Sequence, residues 1–159
     1  RPKGSYTQVL TIWSGRAKKP AYDYLIREDD FARNLKRHVD AAKAAEVYKA
    51  ERKAEKAAKL AAMKETVKVG TLLHETSSYN MTYVSFFEVI AVSKSRATVT
   101  VRQIDSMVCT GEGFTGTKKA LPGTFLPDAE PFKARVTAYG VGKMGVTDAD
   151  HAHSWNTLG

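Results

Sequence analysis

Tyr83-Val84-Ser85-Phe86-Phe87-Glu88-Val89-Ile90-Ala91-Val92, then Ser93-Lys94-Ser95-Arg96, then Ala97-Thr98-Val99-Thr100-Val101-Arg102-Gln103-Ile104-Asp105, is the stretch on which the fold turns. The first segment is apolar on both alternating faces, as a central strand is when both of its sides are covered. Phe86 and Phe87 point opposite ways in such a strand, so at least one must fill a core. The third segment alternates cleanly, with Ala97, Val99 and Val101 opposite Thr98, Thr100 and Arg102. Four short polar residues join the two, and the whole reads as an antiparallel hairpin.

Working downstream, a Gly-rich stretch is followed by Phe132 to Tyr139 and Lys143 to Thr147, which pair around Gly140 and Gly142. Upstream, Thr71 to Glu75 is a short strand. Four or five antiparallel strands in about 90 residues predict a small SH3-like or OB-like barrel, closed so that no edge is left exposed.

Before the barrel the composition changes. From Phe31 to Lys64 there is no Gly or Pro, and Ala, Lys, Glu and Arg dominate. This predicts one helix of roughly 50 Å, with Asp29 or Asp30 as its N-cap. Steps of three or four residues give Phe31, Leu35, His38, Ala42 and Ala45, then Lys49, Arg52, Lys56 and Lys59. The first half is therefore expected to pack on a core and the second half to project from it. His38, on the apolar stripe, is expected at a core edge. Earlier still, Tyr6 to Trp13 and Ala21 to Ile26 are rich in β-branched and aromatic residues and predict a hairpin, with a turn beginning at Ser14-Gly15. The expected fold is α+β: an N-terminal hairpin, one long basic helix and a C-terminal small barrel. The division is set at residues 1–66 and 67–159.

Charge follows that division. The 159 residues hold 25 Lys+Arg and 17 Asp+Glu, a net of +8. Through Thr66 there are 16 Lys+Arg and 9 Asp+Glu, a net of +7, which leaves the barrel nearly neutral. Lys49, Arg52, Lys53, Lys56, Lys59 and Lys64 fall within an arc of roughly 140° on a helical wheel. Ala50, Ala54, Ala57, Ala58 and Ala61 fill much of the neighbouring arc. Three readings fit this pattern: a solvated helix held by pairs such as Glu55 with Lys59, a basic ridge for phosphates, and an alanine face for a partner helix.

Several chemistries find little footing. Gly111-Glu112-Gly113-Phe114-Thr115-Gly116 matches a dinucleotide-loop spacing, but Pro122-Gly123 stops any following helix that could face a pyrophosphate. A flexible connection is expected there, with anion or partner contact through Lys118 and Lys119 as the alternative. Asp148, Asp150, His151 and His153 cluster near the end without the three or four convergent ligands a zinc site needs. An ordinary polar terminal loop, packed on the barrel through Trp155, is expected instead. Cys109 has no catalytic partner in sequence, and no nucleophile elbow exists, so no catalytic residue, metal or cofactor is assigned. His74 is expected to be structural or exposed. The single cysteine excludes an internal disulfide framework and fits a reducing compartment. No apolar run approaches the roughly 20 residues of a membrane span, and no signal-peptide core follows the start. The first residue is Arg1 and not Met, which leaves the native N-terminus open. In the loop Ser77 to Thr82, Tyr79 with Asn80 beside it is the best exposed candidate for stacking or partner contact.

The run Ser78-Tyr79-Asn80-Met81-Thr82-Tyr83-Val84-Ser85-Phe86-Phe87-Glu88-Val89-Ile90, after Val69-Gly70-Thr71 and before Ser93-Lys94 and Thr98 to Arg102, resembles a domain of uncharacterised bacteriophage and mobile-element proteins. Those proteins typically read Gly-Tyr-(acidic or Asn)-Gln-Thr-Asn-Val-x-Phe-Tyr-x-Val-Val at this point. The chain differs at Ser78, Met81 and Tyr83, so no polar site is carried over. The upstream helix, the hairpin with Lys19-Pro20-Ala21 and the late Trp155 are similar in kind. The resemblance implies a phage origin and the cytoplasm of a bacterial host, and it brings no activity, cofactor or catalytic residue.

The expected function is a non-enzymatic accessory protein that binds DNA or RNA. Lys49, Arg52, Lys53, Lys56 and Lys59 would meet phosphates, with Lys18, Lys19, Lys118 and Lys119 as secondary contacts. The alternative is a protein-binding modulator of a host defence or host enzyme, meeting its target through Tyr79 and Asn80. A virion or scaffold component, self-associating through the alanine face, comes third.

Overall fold

The structure, a computed structural model, describes residues 6–13 and 16–157. The turn expected at Ser14 and Gly15 lies outside the described residues. The chain divides into two compact units between Lys53 and Ala54. The compositional change near Thr66 instead marks where helix gives way to strand.

In the first unit, β1 (Tyr6–Ile12) and β2 (Tyr22–Arg27) form the expected antiparallel hairpin, with Ile12 opposite Tyr22. Leu10 and Ile26 are buried in it. The helix α1 runs Glu28–Thr66. It starts before Asp29 and Asp30, so neither is the N-cap. With Glu28 they form an acidic first turn, favourable at the positive end of the helix dipole. The Asn34 side-chain amide donates to the Asp30 carbonyl at 2.9 Å, and Arg33 pairs with the Asp30 carboxylate. His38 is half-buried, its ring 5.2 Å from that of Tyr22.

The expected order of packing along α1 is overturned. No residue of the helix is fully buried, and Leu35 and Val39 on the first half are both 42% exposed. Leu60 and Met63, near the end, are the ones that pack against the barrel core. After Leu35 and Val39 the early stripe continues in alanine, which has little area to remove from water, whereas Leu60 and Met63 offer full-sized side chains.

The second unit is a sheet that closes on itself. Its strands are β3 (Leu72–Tyr79), β4 (Met81–Val92), β5 (Thr98–Glu112), β6 (Thr115–Phe125), β7 (Phe132–Thr137), β8 (Gly140–Val141), β9 (Gly145–Thr147) and β10 (His153–Asn156). β4 pairs with β5, β5 with β6, β6 with β10, and β10 with β4, which makes a four-stranded barrel. The remaining strands extend it on both sides, β7 and β8 beyond β5, and β3 and β9 beyond β4. The α+β class and a closed barrel stand as read from the sequence, but β6 and β10 form where a connection and a polar terminal loop are expected, and β9 pairs with β3, not with β7.

Both phenylalanines of the central strand are buried. Phe87 joins Leu73, Val89, Val99, Val101, Val136, Val141 and Met144 on one side of the sheet, and Phe86 joins Leu72, Ile104 and Ala120 on the other. The Gly111–Gly116 segment is no flexible connection. β5 runs on to Glu112 and β6 starts at Thr115, so the glycines serve a tight hairpin with Gly113 at a φ of 61°.

Gly140 is required where it stands. Its φ is 150°, and a Cβ there would sit 2.1 Å from the Met144 carbonyl oxygen. Gly140→Ala is expected to cost about 2–3 kcal/mol, read as an earlier urea midpoint with an unchanged slope.

Candidate nucleic-acid interface

The five helix cations divide between the units. Lys49, Arg52 and Lys53 belong to the first and are exposed, with the Arg52 guanidinium 5.7 Å from the Tyr48 ring. Lys56 and Lys59 belong to the second, where they meet the barrel.

Lys56 and Leu60 of α1 line a hollow of about 320 Å³ together with Arg135, Val136, Thr137 and Ala138. Four consecutive residues at the end of β7 line it, so backbone as well as side chains contributes. Val136 turns into the core that Leu60 packs against, while Lys133 and Arg135 lie on the other, exposed face of the strand. No carboxylate is in the lining, and Lys56 is the cation on the Leu60 side. Apolar Leu60 and the buried Ala138 complete it.

Tyr139 stands next to this lining on the turn between β7 and β8 and is 67% exposed. Its place is set by short-range bonds. The Tyr139 amide donates to the Thr137 hydroxyl at 3.3 Å, and that hydroxyl donates to the Gly140 carbonyl at 3.2 Å. The Lys59 ammonium is 5.9 Å from the Tyr139 ring centre and pairs with Glu55 at 2.6 Å. Lys59 is thus a held cation that supports the ring, in contrast to Lys56.

The other sequence-derived candidates are not gathered here. Lys18 and Lys19 are exposed in the first unit, between β1 and β2. Lys118 and Lys119 are consecutive residues of β6, so they face opposite sides of a strand and cannot act as a joint loop contact. Lys118 is half-buried with its ammonium 5.3 Å from the Trp155 ring. Tyr79 and Asn80 are not in a long loop. They form the tip of the β3–β4 hairpin, with Asn80 at a φ of 63° and Tyr79 87% exposed. A second hollow, of about 410 Å³, is lined by Thr110, Thr117, Ser154, Trp155 and other uncharged residues.

Arg135 and Tyr139 escaped the sequence reading. The alternation in Phe132-Lys133-Ala134-Arg135-Val136 was available and puts both cations on one face. Which part of the chain that face meets is a long-range matter that no local pattern carries.

The terminal histidines are structural. The His153 ring of β10 lies 4.0 Å from that of His74, and it meets His151, at 4.5 Å, and Phe86 edge-on. Its Nε2 is 2.8 Å from the Thr147 hydroxyl. Among the described residues no group of three His, Cys, Asp or Glu is placed to hold a metal. Burial, then the neighbouring charges of His74 and His151, push His153 down to about 4. Burial and His151 also lower His74, against a raising hydrogen bond with the Gly145 backbone.

The sign of the pH effect follows. Both groups resist protonation when folded, so the unfolded chain takes up more protons as pH falls below about 6.5. Their contribution is complete above that value and is lost towards pH 4. Between pH 7.5 and 5.0 the unfolding free energy is expected to drop by about 1–2 kcal/mol, allowing for solvent around half-buried rings. Urea denaturation at the two pH values measures it, and His153→Gln is expected to remove much of the difference.

No family model, curated protein or solved structure matches this chain.

Proposed function

We propose that this is a non-enzymatic accessory protein, phage-encoded and cytoplasmic in its host, that binds nucleic acid through exposed cations, Lys56 and Arg135 of the second unit among them. One observation supports the reading above the others: Lys56 lines a hollow with no carboxylate in its lining. An anion meeting that cation faces no competing lining carboxylate. A polymer of phosphates supplies such anions at regular spacing, and the further cations Lys49, Arg52 and Lys53 on α1 suit contacts that do not read sequence. Among the described residues, no helix is long and apolar enough to cross a membrane.

A fluorescent DNA or RNA titrated at increasing salt tests the proposal. Binding at about 50 mM salt that weakens steeply towards 200 mM is expected. Absence of binding at 50 mM overturns it.

A protein-binding role, as a modulator of a host system, has its own support in Tyr79 at 87% and Phe114 at 58% exposure on two hairpin tips. Capture of one stoichiometric host protein, insensitive to nuclease and lost in Tyr79→Ala, would favour that role.

A further inference from the structure

Tyr139 is hard to account for as packing. It is 67% exposed, yet the Thr137 hydroxyl and the backbone at Gly140 fix the turn that carries it. Lys59 holds a position over the ring. Directly beside it in sequence, Arg135, Val136, Thr137 and Ala138 line the hollow that Lys56 enters. An oriented aromatic ring, an apolar floor and the Lys56 cation are thus brought to one small region of the second unit.

Resting on the nucleic-acid reading above, we propose that this region takes a single unpaired nucleotide, its phosphate at Lys56 and its base on Tyr139. The physical reason lies in what each form of nucleic acid offers. A duplex presents phosphates to such a surface but keeps its bases stacked on one another. A single strand can turn a base outward, and an exposed ring beside cations then gains base stacking as well as charge neutralisation. The hollow, at about 320 Å³, is at the lower end of small-molecule sites, which suits one unit of a chain and not a folded partner. The Lys59 ammonium leaves most of the ring surface open, as its exposure attests, and places positive charge next to the stacked base.

The consequence is selectivity for single strands over duplexes that depends on Tyr139 alone. Anisotropy titrations with a dT oligonucleotide, an rU oligonucleotide and a duplex of equal length, at one salt concentration, test this. Tyr139→Ala is expected to weaken binding of one or both single strands about tenfold, within the 5- to 150-fold span of one base stack, and to leave duplex binding within about twofold. Tyr139→Phe keeps the ring and is expected to bind as the unmodified protein does. The dT and rU arms show whether DNA, RNA or both are taken. Unchanged single-strand binding in Tyr139→Ala, or equal loss on all three probes, overturns the inference while leaving the broader reading intact. Failure of the unmodified protein to bind any probe at about 50 mM salt overturns both. Thermal unfolding of each variant, expected within about 2 °C of the parent for so exposed a side chain, shows that the fold is retained.

Discussion

Replacing Lys56 and Arg135 together by glutamate is expected to weaken nucleic-acid binding at least about 100-fold at 50 mM salt. Each position loses one charge-assisted contact, worth about 1.4 kcal/mol at the exposed end of the range, or tenfold. Reversal adds repulsion from the same phosphate, so two positions multiply to two decades or more. Salt dependence should change with it. Each lost contact lowers the log–log slope by about 0.7 on single strands and 0.9 on B-DNA, so the double variant should lose about 1.4–1.8. Fold should survive, since both side chains are exposed and no ion pair joins them to a carboxylate lining. The matched control is Lys18→Glu with Lys19→Glu, which changes net charge equally on the first unit. If the control weakens binding as much as the Lys56–Arg135 pair, net charge alone carries affinity and the hollow is not a site.

Phe86→Ala is expected to cost about 3–5 kcal/mol of unfolding free energy. Phe86 is 1% exposed and packs with Leu72, Ile104 and Ala120 inside the sheet. On β4 it lies opposite His74 of β3 and Ile104 of β5, and its ring meets the edge of His153 on β10. Removing the ring therefore opens a cavity where three paired strands and the closing strand converge. At about 4 °C per kcal/mol for a domain near this size, the melting point should fall by about 12–20 °C. Trp155, on β10 two residues from His153, offers a fluorescence reporter for closure. Its emission should shift at lower denaturant than the far-ultraviolet signal if β10 detaches first. A fall of under about 1 kcal/mol would contradict this account of the core. At the other end of the scale, an exposed Tyr79 should tolerate alanine with little change in stability.

The strands that were read correctly are those whose side chains alternate. Thr98, Thr100 and Arg102 against Val99 and Val101 sets a face at once, and β5 buries Val99 and Val101 as that alternation requires. Two-sided apolarity in Phe86-Phe87-Glu88-Val89 likewise marked a strand covered on both faces, and both phenylalanines are covered. The long helix is legible because no Gly or Pro interrupts a run of strong helix formers. Which half of that helix is packed is not legible locally: the apolar stripe runs from Phe31 to Ala45 and then turns basic, but burial needs a partner surface, and Leu60 with Met63 has the barrel core within reach. The Gly111–Gly116 stretch misleads for a related reason. Glycine spacing suggests loops, while hydrogen bonding between β5 and β6 carries the strands through to Glu112 and Thr115.

The candidate site was half legible. Lys56 and Lys59 stood out by helical spacing, which depends on 3.6 residues per turn and nothing else. Arg135 and Tyr139 did not, since their meaning depends on what faces them. The sequence by itself determined the hairpin, the helix, the β4–β5 pair and the concentration of charge before Thr66, because these follow from local periodicity and composition, while β6 and β10 become strands only through the long-range pairing that closes the barrel. Only the tertiary structure decided that Lys56 and the end of β7 share one hollow beside Tyr139, that Lys118 and Lys119 part to opposite faces, and that β10 closes the barrel over Phe86. Such meetings join residues far apart along the chain, and their energy comes from closing and packing the sheet rather than from any pattern within a segment.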